Sequence, residues 1–317
     1  FDHLIPAADS AQKCGRVAVL MGGTSAERAV SLKSGGFVVQ ALQSAGVDAF
    51  AVDLNKNILS QLQGLQADRV FNILHGRGGE DGEVQAILDI LNLPYTGSGV
   101  KASAVTMDKL MTKRLLLGSG INTPVFMQLK TLDDCKQALD KLGLPLIIKP
   151  VNEGSSIGMS KVTRAEELEA AFLLAAEYGS VLAEQWVIGS EYTVAWLGNT
   201  VLPAIKLETP HVFYDYSAKY EASDTRYICP CGLDQSQLKR LNEIVAQTVE
   251  VCEVRDWARV DLMCDEQGQF QVIEVNTVPG MTDHSLVPMA AKEAGLSFQQ
   301  LVLKLIQLTL NRGVQHV

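Results

Sequence analysis

The first hundred residues alternate strand, glycine-rich loop and helix, and this alternation restricts the fold more than any other feature of the chain. Residues 16–21 form a short apolar run that ends at Gly22-Gly23-Thr24-Ser25. Val30, Phe37, Val38, Ala41 and Leu42 then recur at helical spacing. Residues 50–54 and 70–74 read as two further strands. The second runs into a glycine-rich loop over 76–82, and beyond it Val84, Ile87, Leu88 and Leu91 fall on one helix face. Strands that alternate with helices in this way form a parallel sheet covered by those helices. The unit spans about residues 1–97 and exits through Pro94-Tyr95-Thr96-Gly97-Ser98-Gly99.

The remaining chain reads differently. A helix is predicted over 103–118, a strand over 146–149, a Gly/Ser loop over 152–158, a short strand over 159–162 and a helix over 166–178. An apolar strand over 181–187 is predicted to leave this region. Strands at 192–197, 258–264 and 270–276 then mix with helices near 234–254, 286–294 and 297–310, without strict alternation. The expected class is therefore α/β followed by α+β. A length of 317 residues suits two or three domains, placed here at 1–97, 98–184 and 185–317. With 47% hydrophobic and 20% charged residues the chain can build a sizeable core, which excludes disorder as its main state. The net charge of −9, from 27 basic and 36 acidic residues, argues against a basic nucleic-acid face. It leaves open an anionic ligand held by local cations. The six cysteines form no disulfide or zinc framework, and incidental thiols in a reducing compartment are expected. No run approaches the ~18 apolar residues of a membrane span. Phe1 to Gly15 lacks a secretory pattern, so the cytoplasm is the expected location and no membrane partner is expected.

The strongest chemical signal is a hairpin near the C-terminus. Arg259-Val260-Asp261 and Glu274-Val275-Asn276 flank a Gln267-Gly268 turn. Side chains two residues apart share a face, so Arg259 and Asp261 lie together, as do Glu274 and Asn276. A two-residue turn would pair Glu266 with Gln269, hence Asp261 with Glu274 and Arg259 with Asn276. Opposed carboxylates about 5 Å apart repel unless a cation lies between them. Two carboxylates and an amide oxygen are hard donors suited to Mg²⁺ or Mn²⁺. A solvated hairpin face is the bland alternative.

Other candidates are weaker singly. Ser285 is a plausible N-cap, and the helix start behind it could equally bind a carboxylate. The loop Glu153-Gly154-Ser155-Ser156-Ile157-Gly158 joins two strands, so it is no P-loop, yet its N–H groups could cover phosphates. Lys149 ends a buried strand beside that loop, and Lys109 lies on a predicted helix. Glu27 and His75 each follow a strand of the first unit, at the sheet edge where ligands bind in open α/β folds.

In order along the chain stand Gly22-Gly23-Thr24-Ser25-Ala26-Glu27-Arg28, His75-Gly76-Arg77-Gly78-Gly79-Glu80-Asp81-Gly82, Tyr95-Thr96-Gly97-Ser98-Gly99, Lys149-Pro150 with the loop to Gly158, and Tyr214-Asp215-Tyr216-Ser217-Ala218-Lys219-Tyr220. The hairpin motifs and Pro279-Gly280-Met281-Thr282 follow. Together, from about Val17 to Leu310, they resemble the D-alanine:D-alanine ligase family of ATP-grasp enzymes. The resemblance implies a three-domain ATP-grasp architecture with an N-terminal parallel-sheet domain. It implies ATP-dependent joining of two D-alanines through an acyl phosphate, for bacterial peptidoglycan. It further implies that Lys109, Lys149 and Lys219 serve ATP, that Glu184 and Val187 hold adenine and that Glu191 holds the ribose. Asp261, Glu274 and Asn276 would bind two Mg²⁺ or Mn²⁺. Arg259 and the Gly280 N–H would stabilise the oxyanion. Glu27 would hold the first D-alanine ammonium in a triad with Ser155 and Tyr220, His75 would lie in the substrate site, and Ser285 and Leu286 would receive the second carboxylate. The segment 214–220 resembles the family's mobile loop, and a homodimer is the family expectation.

Tyr220 favours D-alanine over D-lactate as second substrate, because related D-lactate ligases typically lack it. Ala29 departs from relatives that carry an acid there. A D-alanine:D-lactate ligase and a non-catalytic nucleotide-binding protein are the competing readings. Retention of Asp261, Glu274 and Asn276 weighs against the second.

Overall fold

The computed structural model describes residues 1–209, 225–310 and 312. The first unit is the predicted parallel sheet. Strand β1 (Arg16–Gly22) lies between β2 (Asp48–Leu54) and β3 (Arg69–Asn72), and both pair with it in parallel. Every β1 residue except Arg16 is buried. Helices cover both faces of such a sheet, which explains a continuous apolar run in place of alternation. One face packs Leu20, Val70 and Leu74 against Leu62, Val84 and Leu88 of the helices Ile58–Gln63 and Glu83–Ile90. The other packs Val17, Val19, Phe71 and Ile73 under the helices Arg28–Ser44, Leu286–Glu293 and Phe298–Leu308. The C-terminal helices thus complete the core of the N-terminal sheet. Phe71 and Trp257 meet edge to face at 6.4 Å across the same junction.

The second sheet comprises β4 (Phe126–Leu129), β5 (Leu146–Pro150), β6 (Ser160–Val162) and β7 (Val181–Gln185), in the order β4-β7-β5-β6 and antiparallel throughout. The helices Leu132–Leu142 and Leu168–Ala176 cover it. Two expectations are corrected here. The strand expected to leave this region over 181–187 ends at Gln185 and sits inside the sheet, between β4 and β5. The helix expected over 103–118 is two helices, Val100–Met107 and Lys109–Gly118. They break at Asp108, which is extended (φ −91°, ψ 101°) and whose carboxylate accepts the Met111 N–H at 2.8 Å. Apolar spacing continues through the break and conceals it, whereas the Asp cap is its local cause. The break places Lys109 at a helix start.

The third sheet contains β8 (Gly189–Leu197), β9 (Thr200–Val201), β10 (Ile205–Glu208), β11 (Arg226–Ile228), β12 (Trp257–Asp265) and β13 (Phe270–Asn276). Among the described residues its order is β11-β10-β8-β12-β13, with β9 beside β8, and all pairs are antiparallel. The helix Gln235–Val251, opened by a reciprocal Asp234/Gln237 capping box, covers one face.

The β12–β13 hairpin reaches the expected register by a different route. The Asp265 N–H bonds to the Gln269 carbonyl at 3.0 Å, so the loop has three residues rather than two. That moves the pairing by one, to Leu262 opposite Val272. Ile273 is then left unmatched as a β-bulge, and the pairing returns to Asp261 opposite Glu274 and Arg259 opposite Asn276. Two deviations cancel at the residues that carry the chemistry.

Candidate active site

A cleft of about 750 Å³ opens between the second and third sheets. Lys149, Glu184, Val187, Glu191, Asp261 and Glu274 line it. A smaller cavity of about 60 Å³ lies at the carboxyl edge of the parallel sheet, lined by Glu27, His75, Glu80, Arg259, Asn276 and Gly280. Lys109, Ser155 and Glu274 border both spaces, so they are contiguous.

The cleft's inner wall is a buried charge cluster. Lys149 on β5 stands opposite Leu182, beside Glu184 on the neighbouring β7. Its Nζ lies 3.2 and 3.1 Å from the two Glu184 oxygens. A second ammonium, Lys113, reaches Glu184 Oε2 at 2.5 Å from the helix Lys109–Gly118. Burial works to raise the Glu184 pKa, but the two ammonium groups outweigh it and hold the carboxyl below its ordinary range. Burial pushes Lys113 down to about 8, with Glu184 opposing the shift. Lys109 donates to the Glu153 carbonyl at 2.6 Å and lies 3.7 Å from Glu274. It thereby joins the Gly/Ser loop to the hairpin.

On the hairpin, Arg259 holds Asp261 by two parallel bonds of 2.8 Å each. Thr193 on β8 donates to the same carboxylate at 2.6 Å. Arg259 also lies 4.0 Å from Glu274. Cations on the protein therefore already offset the facing carboxylates, which the sequence alone left to a metal. Asn276 Oδ1 accepts the Val278 N–H at 3.0 Å and keeps a second lone pair. Among the described residues no three His, Cys, Asp or Glu gather as a metal site. The donor set is two carboxylates and one amide. Its hard oxygens on paired strands fit Mg²⁺ or Mn²⁺ provided a ligand supplies further oxygens.

The small cavity is acidic. Glu27 precedes the helix Arg28–Ser44 and accepts the Ser155 hydroxyl at 2.7 Å. Two of the three expected triad members thus meet across the cavity. Tyr220 and Lys219, with the whole segment 214–220, lie outside the described residues. His75 Nδ1 bonds to the Val278 carbonyl at 2.9 Å, while its buried Nε2 has no partner among the described residues. Burial lowers the His75 pKa against the pull of Glu27. Glu80 is half-buried with its Oε2 buried and equally unpartnered among the described residues, and desolvation, then the Glu27 charge, raise its pKa well above the carboxylate range. The backbone is shaped to fit. Gly76 has φ +71°, and a Cβ there would come within 2.9 Å of Ser25 Oγ.

Ser285 and Leu286 are both buried and line neither space. The Ser285 side chain does not cap its helix. Its oxygen instead accepts the Thr282 N–H at 2.9 Å and meets the Thr282 hydroxyl at the same distance. The helix start is thus left without a side-chain cap, which removes the ordinary-cap reading. Lys113, Glu80 and Thr193 were not singled out from sequence. Lys113 follows Lys109 by one helical turn, a spacing equally ordinary for two surface lysines, so it carries no local signal.

A parallel-sheet unit followed by two antiparallel sheets around a lysine-lined cleft is the ATP-grasp architecture. Residues 57–98 match the family described as D-ala D-ala ligase N-terminus, and residues 115–307 match D-ala D-ala ligase C-terminus. The D-alanine--D-alanine ligase of Pseudomonas putida (strain GB-1) is 57% identical over 293 residues, 92% of each chain. The solved D-alanine--D-alanine ligase from Bacillus anthracis superposes with a TM-score of 0.83 at 33% identity, over 93% of this chain and 97% of that one. It is also known complexed with ATP (TM-score 0.80, 32% identity, 93% and 97% covered). The VanG D-Ala:D-Ser ligase from Enterococcus faecalis superposes at 0.80 with 29% identity, over 93% and 99%. This chain belongs to the D-alanine--D-alanine ligase family.

Proposed function

We propose that the chain joins two D-alanines, as its relatives are named to do, and that it consumes ATP to do so, for cell-wall synthesis. The observation that supports this best is the contiguity of the two spaces. A lysine-rich cleft large enough for a nucleotide opens, past Lys109 and Glu274, into a small acidic cavity suited to an amino acid's ammonium.

In this reading ATP lies in the cleft with adenine against Glu184 and Val187, ribose at Glu191 and phosphates at Lys109 and Lys149. Lys219 joins them from outside the described segment. Glu27, steadied by Ser155 and Tyr220, holds the first D-alanine's ammonium beside His75. The first D-alanine's own carboxylate oxygen attacks the γ-phosphorus, the bond to the β–γ bridging oxygen breaks, and ADP leaves. The amine of the second D-alanine, its ammonium proton lost and its carboxylate held at the Ser285–Leu286 helix start, attacks the acyl carbon. Phosphate departs with its electron pair. Arg259 and the Gly280 N–H are donors for the oxyanion formed on the way. Asp261, Glu274 and Asn276 would hold two Mg²⁺ or Mn²⁺, which supply Lewis-acid stabilisation of phosphate charge when bound. The division at 1–97, 98–184 and 185–317, the homodimer and the cytoplasmic location belong to the same reading. No helix among the described residues is long and apolar enough to cross a membrane.

The test is phosphate release with ATP, Mg²⁺ and D-alanine, with the product identified by mass. D-Alanyl-D-alanine is expected in equal amount to phosphate. With D-lactate also present at neutral pH, a depsipeptide as the main product would overturn the second-substrate assignment. Tyr220→Phe is expected to move the product ratio toward depsipeptide, and an unchanged ratio would remove Tyr220 from the triad.

A further inference from the structure

We propose that Lys113 is a positioning residue for the nucleotide site: it neutralises Glu184, so that the charge of Lys149 stays available to the triphosphate. The inference rests on the nucleotide site proposed above.

Lys113 is fully buried and lines neither space, so it cannot touch a nucleotide in the cleft. Its Nζ forms an ion pair with Glu184 Oε2 at 2.5 Å and donates to Thr123 Oγ1 at 2.7 Å, above the Phe126 ring at 5.7 Å. Glu184 therefore lies between two ammonium groups, of which only Lys149 borders the cleft. A buried carboxylate kept for stability alone needs one cation, and a second buried cation adds desolvation cost. The second charge changes what the cleft experiences. Glu184 with Lys149 alone is a neutral pair that offers an anion no net attraction. With Lys113 the cluster carries one net positive charge, and its excess lies at the cleft wall.

Lys113 also fixes geometry. It sits one turn beyond Lys109 on the same helix. Thr123, its second partner, donates to the Val272 carbonyl at 2.8 Å, next to the bulge that sets Glu274. One ammonium thus ties the Lys109 helix, β7 and β13 together. The charged groups that act on it are Glu184, Lys149 and Lys109.

The test compares Lys113→Met, Glu184→Gln and the double variant, with Lys149→Met as reference. Binding of adenylyl imidodiphosphate with Mg²⁺, KM for ATP and KM for D-alanine are measured. Lys113→Met is expected to weaken analogue binding and raise KM for ATP about tenfold, leaving KM for D-alanine within about twofold. In the double variant Lys149 stands uncompensated and the net charge returns, so affinity for inorganic tripolyphosphate, which has no adenine to lose at Glu184, recovers severalfold over Lys113→Met. A double variant that binds tripolyphosphate more weakly than Lys113→Met would overturn the inference, as would Lys113→Met with unchanged ATP affinity. Intact analogue binding in Lys149→Met would instead overturn the nucleotide site itself. If Lys113→Met does not fold, Lys113→Gln takes its place with the same expected loss of analogue affinity, and unchanged affinity in that variant would overturn the role.

Discussion

The two halves of the site solve opposite electrostatic problems. At the cleft wall, cations outnumber the anion and each buried charge has a partner: Lys113 and Lys149 share Glu184. In the small cavity, acids dominate and polar atoms wait: His75 Nε2 and Glu80 Oε2 are buried without a partner among the described residues. A buried unpaired polar atom costs about 1–3 kcal/mol, so a fold keeps one where something else gains from it. The cationic half suits phosphate and the anionic half an ammonium. Lys109 and Glu274 stand where the two meet.

Predictions that break this comparison begin at the boundary. Asp261→Ala or Glu274→Ala is expected to reduce Mg²⁺-dependent phosphate release at least about a hundredfold, with the circular dichroism spectrum retained. Undiminished turnover in either would remove the metal assignment. Next come the halves themselves. Lys149→Met should raise KM for ATP by about thirtyfold or more, and Glu27→Gln should raise KM for D-alanine similarly, each sparing the other substrate. If both variants moved both constants together, the halves would be one site and the contrast would fail.

A subtler effect concerns Lys113. Burial pushes its pKa down to about 8, so KM for ATP is expected to rise between about pH 7 and about pH 9 as the ammonium loses its proton. Lys113→Arg keeps its charge there and should flatten that rise. Smallest is a stability effect at Glu80. Its folded pKa lies above the unfolded value, so the folded state binds the proton more tightly, and stability falls as pH rises beyond the unfolded carboxyl range of about 4.3. Glu80→Gln removes that penalty. Its melting temperature should exceed the parent's by a few degrees at about pH 8 and by less at about pH 5. A constant difference would show that Glu80 does not titrate across this range.

Legibility from sequence followed the range of the interactions involved. The parallel sheet was readable because β1 is apolar along its whole length and each loop and helix follows at once. The hairpin's chemistry was readable because alternation alone puts Arg259 with Asp261 and Glu274 with Asn276. Its register came out right through compensation, since neither the three-residue loop nor the bulge at Ile273 leaves a local signature. The strand β4 was missed because Phe126–Leu129 is four residues long and paired only through β7. Asp108 was missed because the apolar period continues across it.

The sequence by itself determined the fold class, the family and the kinds of group at the site, because these follow from local periodicity and ordered motifs. Tertiary structure alone decided how charge is distributed among those groups. Lys113 and Glu184 are distant in the chain, and neither is unusual until burial removes water and leaves each as the other's compensation. The same burial lifts the Glu80 pKa and leaves His75 Nε2 without a partner. Desolvation depends on what surrounds a side chain in three dimensions, and no spacing along the chain encodes it.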